Sequence, residues 1–434
     1  MSVIIDEDNF EYELDDLDES AVYDVKIKVV GVGGGGCNAL EHMAKLYAKE
    51  AEAAIQKSGS STLLDHIEFI AMNTDVAALK KKDKTLMRRL QIGKKTCKGR
   101  GAGGRPEVAA ESARESREEI EAYLKDASIV FIAAGMGGGT GTGAAPVIAE
   151  IAKDMGIITV GIVTKPFEFE RELKMNQAMK GIDEMRKHVD ALLIIPNERL
   201  LKLNEKMLSF LQAFEMVDDV LYRSVKIVSD VVAIGREDDI SKSRTIDTDF
   251  ADLCSILEEA GDAHIAIGTG TGTNKIQDAV DQVVNSPLLE TSIANATKLL
   301  INITLSGDSS ITDYRDAAKS ITDAAAPDVN AIQGVTQDTS LSDTIIISVI
   351  AAGFKKPNEK EPTVIKTTVQ KPAGASMASV SFETSDSEAV EIVTSETNDE
   401  LAKIITNTLG SINARDRFAD IEGLFSSKKN RDEE

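Results

Sequence analysis

Two glycine-rich segments of this chain combine residue types that suit phosphate binding. The first spans Gly31 to Asn38 and reads GVGGGGCN, and the second spans Gly135 to Pro146 and reads GMGGGTGTGAAP. Glycine lets the main chain approach a phosphate closely, and the first N–H groups of a following helix carry partial positive charge. Two such segments at neighbouring strand ends predict a site for a di- or triphosphate.

Two further glycine clusters are open to more than one interpretation. The segment Gly101–Glu107 (GAGGRPE) precedes a predicted helix, so it either reaches the terminal phosphate or is an ordinary loop. The first segment by itself matches only the weak pattern GxGxxG, which is also found in tight strand–helix turns. The segment Gly268–Gly272 (GTGTG) lies in the second half of the chain, and we interpret it as structural.

An acidic segment, residues 245–252, offers carboxylates for work on a phosphate. Asp249 and Asp252 are three residues apart, so one helical turn would direct both side chains the same way, and Asp247 lies close by. Such a pair could polarise a water molecule or place a metal-bound water. The alternative interpretation is a helix N-terminal cap. The four histidines show no metal-ligand spacing.

Alternating strands and helices must position these segments. The predicted strands cover residues 25–30, 67–72, 129–132, 157–163 and 191–195, and the predicted helices lie near 40–55, 107–125, 144–155 and 171–187. This alternation predicts a Rossmann-like parallel sheet with helices on both faces. Ligands of such sheets bind at the carboxyl ends of the strands, where both long glycine segments and Asn73 fall.

Composition and periodicity divide the chain into six predicted parts. These are a disordered acidic arm at 1–23, a parallel-sheet domain at 24–205, a long central helix at 206–234, a smaller α/β domain at 235–354, a flexible linker at 355–398 and a tail at 399–434. The linker is predicted because Lys, Pro, Glu, Ser and Thr dominate it. The tail ends in a short apolar pattern, which favours a tethered docking peptide.

Composition excludes several classes of function. The chain has 434 residues, 49 Lys and Arg against 72 Asp and Glu, a net charge of -23 and no Trp. A field of this sign repels nucleic acid and anionic lipid, so neither is expected as a direct partner. Three widely spaced cysteines predict a reducing compartment, and the acidic start differs from a signal peptide. We therefore expect a cytoplasmic protein.

In order along the chain, the motifs resemble those of the FtsZ family, the tubulin-like GTPases of bacterial cell division. The similarity runs over about residues 25–354 and includes the first glycine segment, Asn73-Thr74-Asp75, the second glycine segment and the TKPFEFE segment at 164–170. The GGGTGTG signature is specific to the tubulin superfamily. The resemblance implies that GTP or GDP lies across the strand ends of the first domain, with Mg²⁺ held mainly by the phosphates.

The resemblance also implies roles for individual residues. Glu170 would hold the ribose, and Asp218 on the central helix would accept hydrogen bonds from the N1 and N2 donors of guanine. Asp249 and Asp252, with Asp247 beside them, would orient the attacking water in the site of the next subunit of a head-to-tail filament. The remaining predicted nucleotide-binding residues are Gly33, Gly34, Gly35, Gly36, Cys37, Asn38, Asn73, Gly103, Gly104, Gly138, Gly139, Thr140, Gly141, Thr142 and Lys174.

Several positions depart from the family pattern. Lys174 stands where Arg is usual, so a charge is kept but a bidentate fork is lost. Arg171 replaces a Gly, Arg105 replaces an Asn or Asp, and Asp247 replaces an Asn, which adds negative charge beside the triphosphate. Residues 236–244 resemble an insertion. These departures predict slower hydrolysis or less stable filaments.

The resemblance implies partners as well. The chain would assemble with copies of itself, and its tail would bind membrane-adaptor and division proteins at mid-cell. The tail matches the family's adaptor-binding peptide in part, because Glu422 stands where Pro is usual. Two alternatives remain open from the sequence: a filament protein of the same fold with weak hydrolysis, and a Rossmann-type oxidoreductase.

Overall fold

The computed structural model describes residues 25–58, 66–201, 209–234, 250–286, 288–289, 292–338, 341–354 and three short strands beyond them. The predicted acidic arm at 1–23, the insertion at 236–244, Asp247, Asp249 and the tail at 399–434 lie outside the described residues. The chain forms two compact units, residues 1–355 and 356–434.

The first unit alternates strands and helices over most of its length. Its strands are β1 Ile27–Val32, β2 Ile67–Asn73, β3 Arg88–Gln91, β4 Ile129–Gly135, β5 Ile158–Lys165, β6 Ala191–Pro196, β7 Gly261–Thr271, β8 Lys298–Ser306, β9 Asn330–Asp338 and β10 Thr344–Ala352. Its helices are α1 Gly33–Ser58, α2 Val76–Lys80, α3 Pro106–Glu115, α4 Arg117–Leu124, α5 Thr140–Asp154, α6 Glu172–Met185, α7 Asn197–Leu201, α8 Phe210–Ile234, α9 Phe250–Leu257, α10 Lys275–Val284 and α11 Ile311–Asp323. The helix predicted near 107–125 is two helices, because Ser116 leaves helical geometry at φ -102 and ψ 19.

These strands form one ten-stranded sheet in the order β3-β2-β1-β4-β5-β6-β7-β10-β8-β9. The strands from β3 to β7 pair in parallel, as the alternation predicts. β10 is antiparallel to both of its neighbours, so the sheet is mostly and not wholly parallel. The pairing of β6 with β7 joins the two halves that the sequence suggests are separate domains.

The period of two along each central strand divides the first half between two apolar layers. Val29, Phe69 and Phe131 face one layer, which they share with α1 and α8. Val30, Ile70 and Ile132 face the other layer with α3 and α5. Because both faces are covered, the strands read as nearly continuous apolar runs, as buried parallel strands do. This packing fixes the strand ends from which the glycine segments project.

The second half has its own core on β7, β8, β10, α10 and α11, with Ile301, Ile347 and Ile321 fully buried. Within β7, a Cβ at Gly268 or Gly270 would collide with the carbonyl oxygens of Ala279 and Lys275 in α10. The two glycines therefore let the helix lie directly on the strand. This packing supports the structural interpretation of the GTGTG segment.

The central helix α8 begins at Phe210, four residues later than the predicted start at 206, although residues 202–208 lie outside the description. Val217, Leu221 and Val225 are buried against the layer shared with α1, so much of the helix is core. Among the described helices, none is both long enough and apolar enough to cross a membrane.

The second unit contains a three-stranded antiparallel sheet within residues predicted to be a flexible linker. Its strands are β11 Thr368–Gln370, β12 Ala378–Glu383 and β13 Ala389–Thr394. β12 alternates apolar residues with Ser and Glu, and four of the six residues of β13 are β-branched, which is a strand composition that the overall Ser, Thr and Glu content conceals. The structure thus differs here from the expectation of a linker without strands.

Candidate nucleotide-binding site

The three glycine-rich segments meet at the carboxyl ends of the parallel strands. A Cβ at Gly33 would lie 2.8 Å from the Gly141 nitrogen and 3.2 Å from the Thr140 Cβ. A Cβ at Gly139 would lie 3.0 Å from the nitrogen of Arg105, which belongs to the third segment. Because only glycine permits these approaches, the main chains of all three segments lie side by side.

The main chain of these segments leaves donors for a ligand. α1 begins at Gly33, whose φ of +75° suits glycine, directly after β1. α5 begins at Thr140, and no side chain caps it, so its first N–H groups have no side-chain acceptor. A Cβ would meet nothing within 4 Å at four of the predicted glycines, Gly34, Gly103, Gly104 and Gly138. Open space therefore adjoins all three segments, as an anion-binding site requires.

Three predicted side chains are buried and make contacts within the loops. Thr142 is buried, and its hydroxyl accepts a hydrogen bond from the Gly137 N–H at 2.8 Å. The amide oxygen of Asn73 accepts from the Asp75 N–H at 3.2 Å. Burial raises the pKa of the Cys37 thiol to about 12, and its sulfur lies 3.2 Å from the Gly31 carbonyl. The roles of Cys37, Asn73 and Thr142 as ligand contacts stay predictions.

The Thr140 side chain is placed differently, because it lies in the first turn of α5 between two loops. Its hydroxyl is 2.8 Å from the hydroxyl of Thr74, which follows β2. The pair joins the Asn73-Thr74-Asp75 turn to the second glycine segment. The Asp75 carboxylate caps α2 by accepting from the Ala77 N–H at 2.8 Å. The motif after β2 is therefore a rigid neighbour of the second glycine segment.

Glu170 and Lys174 lie beyond the end of β5 and form an ion pair. The Lys174 ammonium is 2.9 Å from Glu170 Oε2, while Glu170 Oε1 accepts from the Phe167 N–H at 3.1 Å. A Cβ at Gly137 would lie 2.9 Å from the Lys174 carbonyl, so this helix start packs on the second glycine segment. Arg171, between the pair, has a φ of +77° and a ψ of 159°.

Gln177 on α6 is a site residue that the sequence motifs do not reveal. Its side-chain amide donates to the Gly104 carbonyl at 3.1 Å and to the Gly138 carbonyl at 2.8 Å. One side chain thereby joins the third glycine segment to the second. The third segment is thus fixed beside the others, which favours the interpretation that it reaches a ligand.

Asp218 lies half-buried on α8, near His42 in the third turn of α1. Burial raises the pKa of its carboxyl from 3.8 to about 6, while the positive charges of His42 and Lys82 oppose that rise. Its neighbour Asp219 accepts from His42 Nε2 at 2.7 Å. Lys82, which the sequence analysis missed, donates to Asn38 Oδ1 at 2.6 Å. Asn38 and Asp218 are thus parts of one polar cluster between α1 and α8.

The predicted acidic pair is described only at Asp252. This residue is exposed in the first turn of α9. Among the described residues, its carboxylate makes no hydrogen bond or ion pair with a glycine segment. Asp247 and Asp249 lie outside the described residues, so their roles stay predictions. An exposed carboxylate of this kind is available to another molecule.

Together, a mostly parallel α/β sheet and three glycine segments at its strand ends define a nucleotide-binding protein of the doubly wound class. Residues 26–205 match the GTPase domain of the Tubulin/FtsZ family, and residues 261–355 match the C-terminal domain of the FtsZ family. The chain belongs to the tubulin/FtsZ family, as its motifs predict. Membership of this family argues against the alternative of a Rossmann-type oxidoreductase.

Solved structures agree with this assignment. An empty FtsZ dimer from M. jannaschii is 34% identical, with a TM-score of 0.65, over 76% of this chain and 88% of that chain. Two proteins of Haloferax volcanii share the fold: a GTPγS-bound protofilament of CetZ2, at 19% identity and a TM-score of 0.58, and a GDP-bound CetZ1 monomer, at 18% and 0.60. Both matches cover 76% of this chain, and they cover 94% of the CetZ2 chain and 95% of the CetZ1 chain.

Proposed function

We propose that this chain binds and hydrolyses GTP and polymerises head to tail, with each active site completed by the next subunit. The convergence of three glycine segments carries the proposal, because their main chains supply N–H donors for a triphosphate. Membership of a GTPase family favours guanine nucleotide. Self-association is supported by the dimer and protofilament in which similar proteins have been solved.

The chemistry follows from what phosphoryl transfer requires of a protein. Such reactions depend on positioning and on stabilising charge, which the N–H groups of Gly34, Thr140 and their neighbours would supply. Asp249 and Asp252 of the adjacent subunit would orient the attacking water. Among the described residues, no cluster of three or more acidic, His or Cys side chains is placed to hold a metal, so Mg²⁺ would enter with the phosphates.

The cellular role that follows is assembly of a cytokinetic filament in the cytoplasm. Filaments would be recruited to the division site through adaptors that bind the tail at 399–434. Localising a fluorescent fusion in cells, with and without these residues, tests this part. Filaments at mid-cell that depend on the tail support it, and an unchanged diffuse signal in both strains counts against it.

A filament protein with weak hydrolysis is the second candidate, and one contact favours it. The Lys174 ammonium is engaged by Glu170, so its charge is partly offset before any phosphate arrives.

Replacing Asp247→Asn removes a negative charge beside the triphosphate, and we expect turnover per subunit to rise about fivefold, corresponding to about 1 kcal/mol of barrier. Steady-state phosphate release measures this. Unchanged turnover would argue against charge repulsion at this loop.

Phosphate release measured against protein concentration distinguishes the candidates. An assembly-coupled GTPase shows a threshold and then a steep rise, a solitary enzyme gives a straight line, and a non-hydrolysing polymer releases almost nothing. Filaments imaged with GTP, and not with ATP, would support guanine-dependent assembly. Failure to retain any guanine nucleotide would overturn the proposal.

Sharing of the active site needs two complementary variants. Gly34→Asp places a carboxylate in the open space at the first glycine segment, where it should repel phosphate without a steric clash. The double variant Asp249→Ala with Asp252→Ala should bind GTP without hydrolysing it. Mixed together, the two should regain turnover that neither shows alone, and Gly34→Ala is the matched control. A mixture that stays inactive contradicts completion by the next subunit.

A further inference from the structure

Lys82 is a nearly buried cation fixed against the second turn of α1. Its side chain is 9% exposed, and its ammonium donates to Asn38 Oδ1 at 2.6 Å and to Glu41 Oε2 at 3.0 Å. Arg89 holds its main chain by donating to the Lys82 carbonyl at 3.2 Å. Within the described part of the chain, two acceptors thus use two of the three ammonium N–H bonds. One remains for a ligand.

The Lys82 ammonium lies beside α1 and not at the N-terminal end of that helix. Asn38 and Glu41 lie five and eight residues beyond Gly33, which is about 8 to 12 Å along the axis. A phosphate at the start of α1 is bound by the first-turn N–H groups. The Glu41 carboxylate, in contact with the ammonium, would also repel a phosphate that approached it. A neutral acceptor such as a carbonyl oxygen meets no such repulsion.

The same cluster contains an acceptor of opposite charge. Lys82 is near enough to Asp218 for its charge to lower the pKa of that carboxyl, against the larger effect of burial. Contacts with α1 also connect the two groups, because Glu41, which binds the ammonium, is followed by His42, whose Nε2 lies 2.7 Å from Oδ1 of Asp219, the neighbour of Asp218. The cluster therefore offers a cationic donor and an anionic acceptor beside the packed helices α1 and α8. Guanine presents a matching edge, with an O6 acceptor beside its N1 and N2 donors. Adenine presents a donor in the O6 position, which an ammonium repels.

We propose that Lys82 is a specificity-determining residue that donates a hydrogen bond to O6 of the guanine base, with Asn38 and Glu41 holding its ammonium and Asp218 accepting from the opposite end of the same edge. This inference rests on the proposed function, since it needs guanine nucleotide in this site. It adds a base contact to the acceptor role that the family resemblance implies for Asp218.

Nucleotide analogues that differ at O6 test the contact in the full chain. Affinities for GTP, ITP, 2-aminopurine riboside triphosphate and ATP are measured for the original protein and for Lys82→Met. GTP and ITP both keep O6, so we expect each to bind about tenfold more weakly to the variant, the usual effect of losing a hydrogen bond to a charged group. The aminopurine lacks O6, so its affinity should not change.

Controls separate this contact from folding and from phosphate binding. Lys45→Met removes an exposed cation that is 3.8 Å from the same Glu41, and it should leave all four affinities unchanged. Lys82→Arg should restore discrimination between GTP and ATP. Equal losses for every nucleotide would overturn the proposal in favour of a phosphate contact, and unchanged GTP affinity in Lys82→Met would overturn it outright. If the original protein binds no guanine nucleotide, the proposed function itself fails.

Discussion

Arg171 has a backbone conformation that glycine adopts easily and other residues rarely do. Its φ of +77° with a ψ of 159° belongs to a region that costs a non-glycine residue about 1–3 kcal/mol. Replacing Arg171→Gly should therefore raise the free energy of unfolding by about 1 kcal/mol, after the larger entropy of the unfolded glycine is subtracted. Urea denaturation measures the change. Arg171→Ala keeps the strain, so a gain of the same size in that control would show that the side chain, not the backbone, is responsible.

Protonation of Asp218 should weaken guanine binding in mildly acidic solution. Because burial raises the pKa of this carboxyl to about 6, the acceptor form that guanine needs is lost as the pH falls through that value. We expect GTP affinity to decline between pH 7 and pH 5 in titration calorimetry, and Asp218→Asn to bind weakly at both. A decline of equal size in the variant would assign the pH effect to other groups.

The raised pKa of Asp218 also affects the stability of the protein without nucleotide, and for stability a lower pH is the favourable condition. A carboxyl that titrates near 6 in the folded protein and near 3.8 in the unfolded chain binds more protons when folded within that window. The contribution of Asp218 to the free energy of unfolding therefore falls as the pH rises from 3.8 to 6. Comparing the pH dependence of unfolding with that of Asp218→Asn isolates this contribution. An identical slope in both proteins would contradict the shift.

Main-chain binding loops can be predicted from the sequence more readily than side-chain hydrogen bonds. The glycines at 31–36 and 135–143 are visible because a phosphate loop needs a continuous run of small residues. The inward turn of Thr142 is invisible, since its partner is the Gly137 N–H and any small polar side chain reads the same way. Gln177 and Lys82 are missed because their partners, Gly104 and Asn38, are 73 and 44 residues away in the chain.

At the scale of elements, α6 positions two glycine segments through Gln177. Replacing Gln177→Ala removes both donated hydrogen bonds and frees the third segment from the second. We expect GTP binding to weaken about threefold to tenfold, as for one or two neutral hydrogen bonds. The residue is on the surface of the site, so the free energy of unfolding should change by less than about 1 kcal/mol. Calorimetry and urea denaturation measure the two quantities.

The matched control for this helix is Gln177→Glu, which keeps the length of the side chain but has no N–H to donate. It should weaken GTP binding at least as much as alanine does. Binding as tight as in the original protein, in either variant, would show that the third segment does not depend on α6.

Elements with both faces buried are predicted well, and elements at the edges of the sheet are not. β4 and β6 are apolar throughout and β1 is apolar except at Lys28, so these strands stand out in the sequence. β3 reads RRLQ, with one buried residue, and lies at one edge, while β9 lies at the other edge. An edge strand packs on fewer neighbours, and its sequence is therefore less constrained. The break between α3 and α4 at Ser116 is also missed, because the apolar spacing continues across it.

For the whole molecule, the continuous sheet predicts that residues 25–354 unfold together. β6 and β7 share three residue pairs, and one apolar layer contains Ile195, Val225, Leu257 and Ile350 from both halves. Native-state hydrogen exchange should therefore give β6 and β8 the same opening free energy, equal to that of global unfolding. Separate values, or two transitions in urea, would show that the halves are independent.

The unequal burial of the three cysteine thiols provides a way to follow assembly. Cys37 and Cys97 are buried, whereas Cys254 is only partly covered and lies two residues from Asp252 in α9. A maleimide dye should therefore modify the natural chain almost entirely at one position, beside the carboxylate proposed to enter a neighbouring molecule. Its emission could report docking in real time without any engineered cysteine.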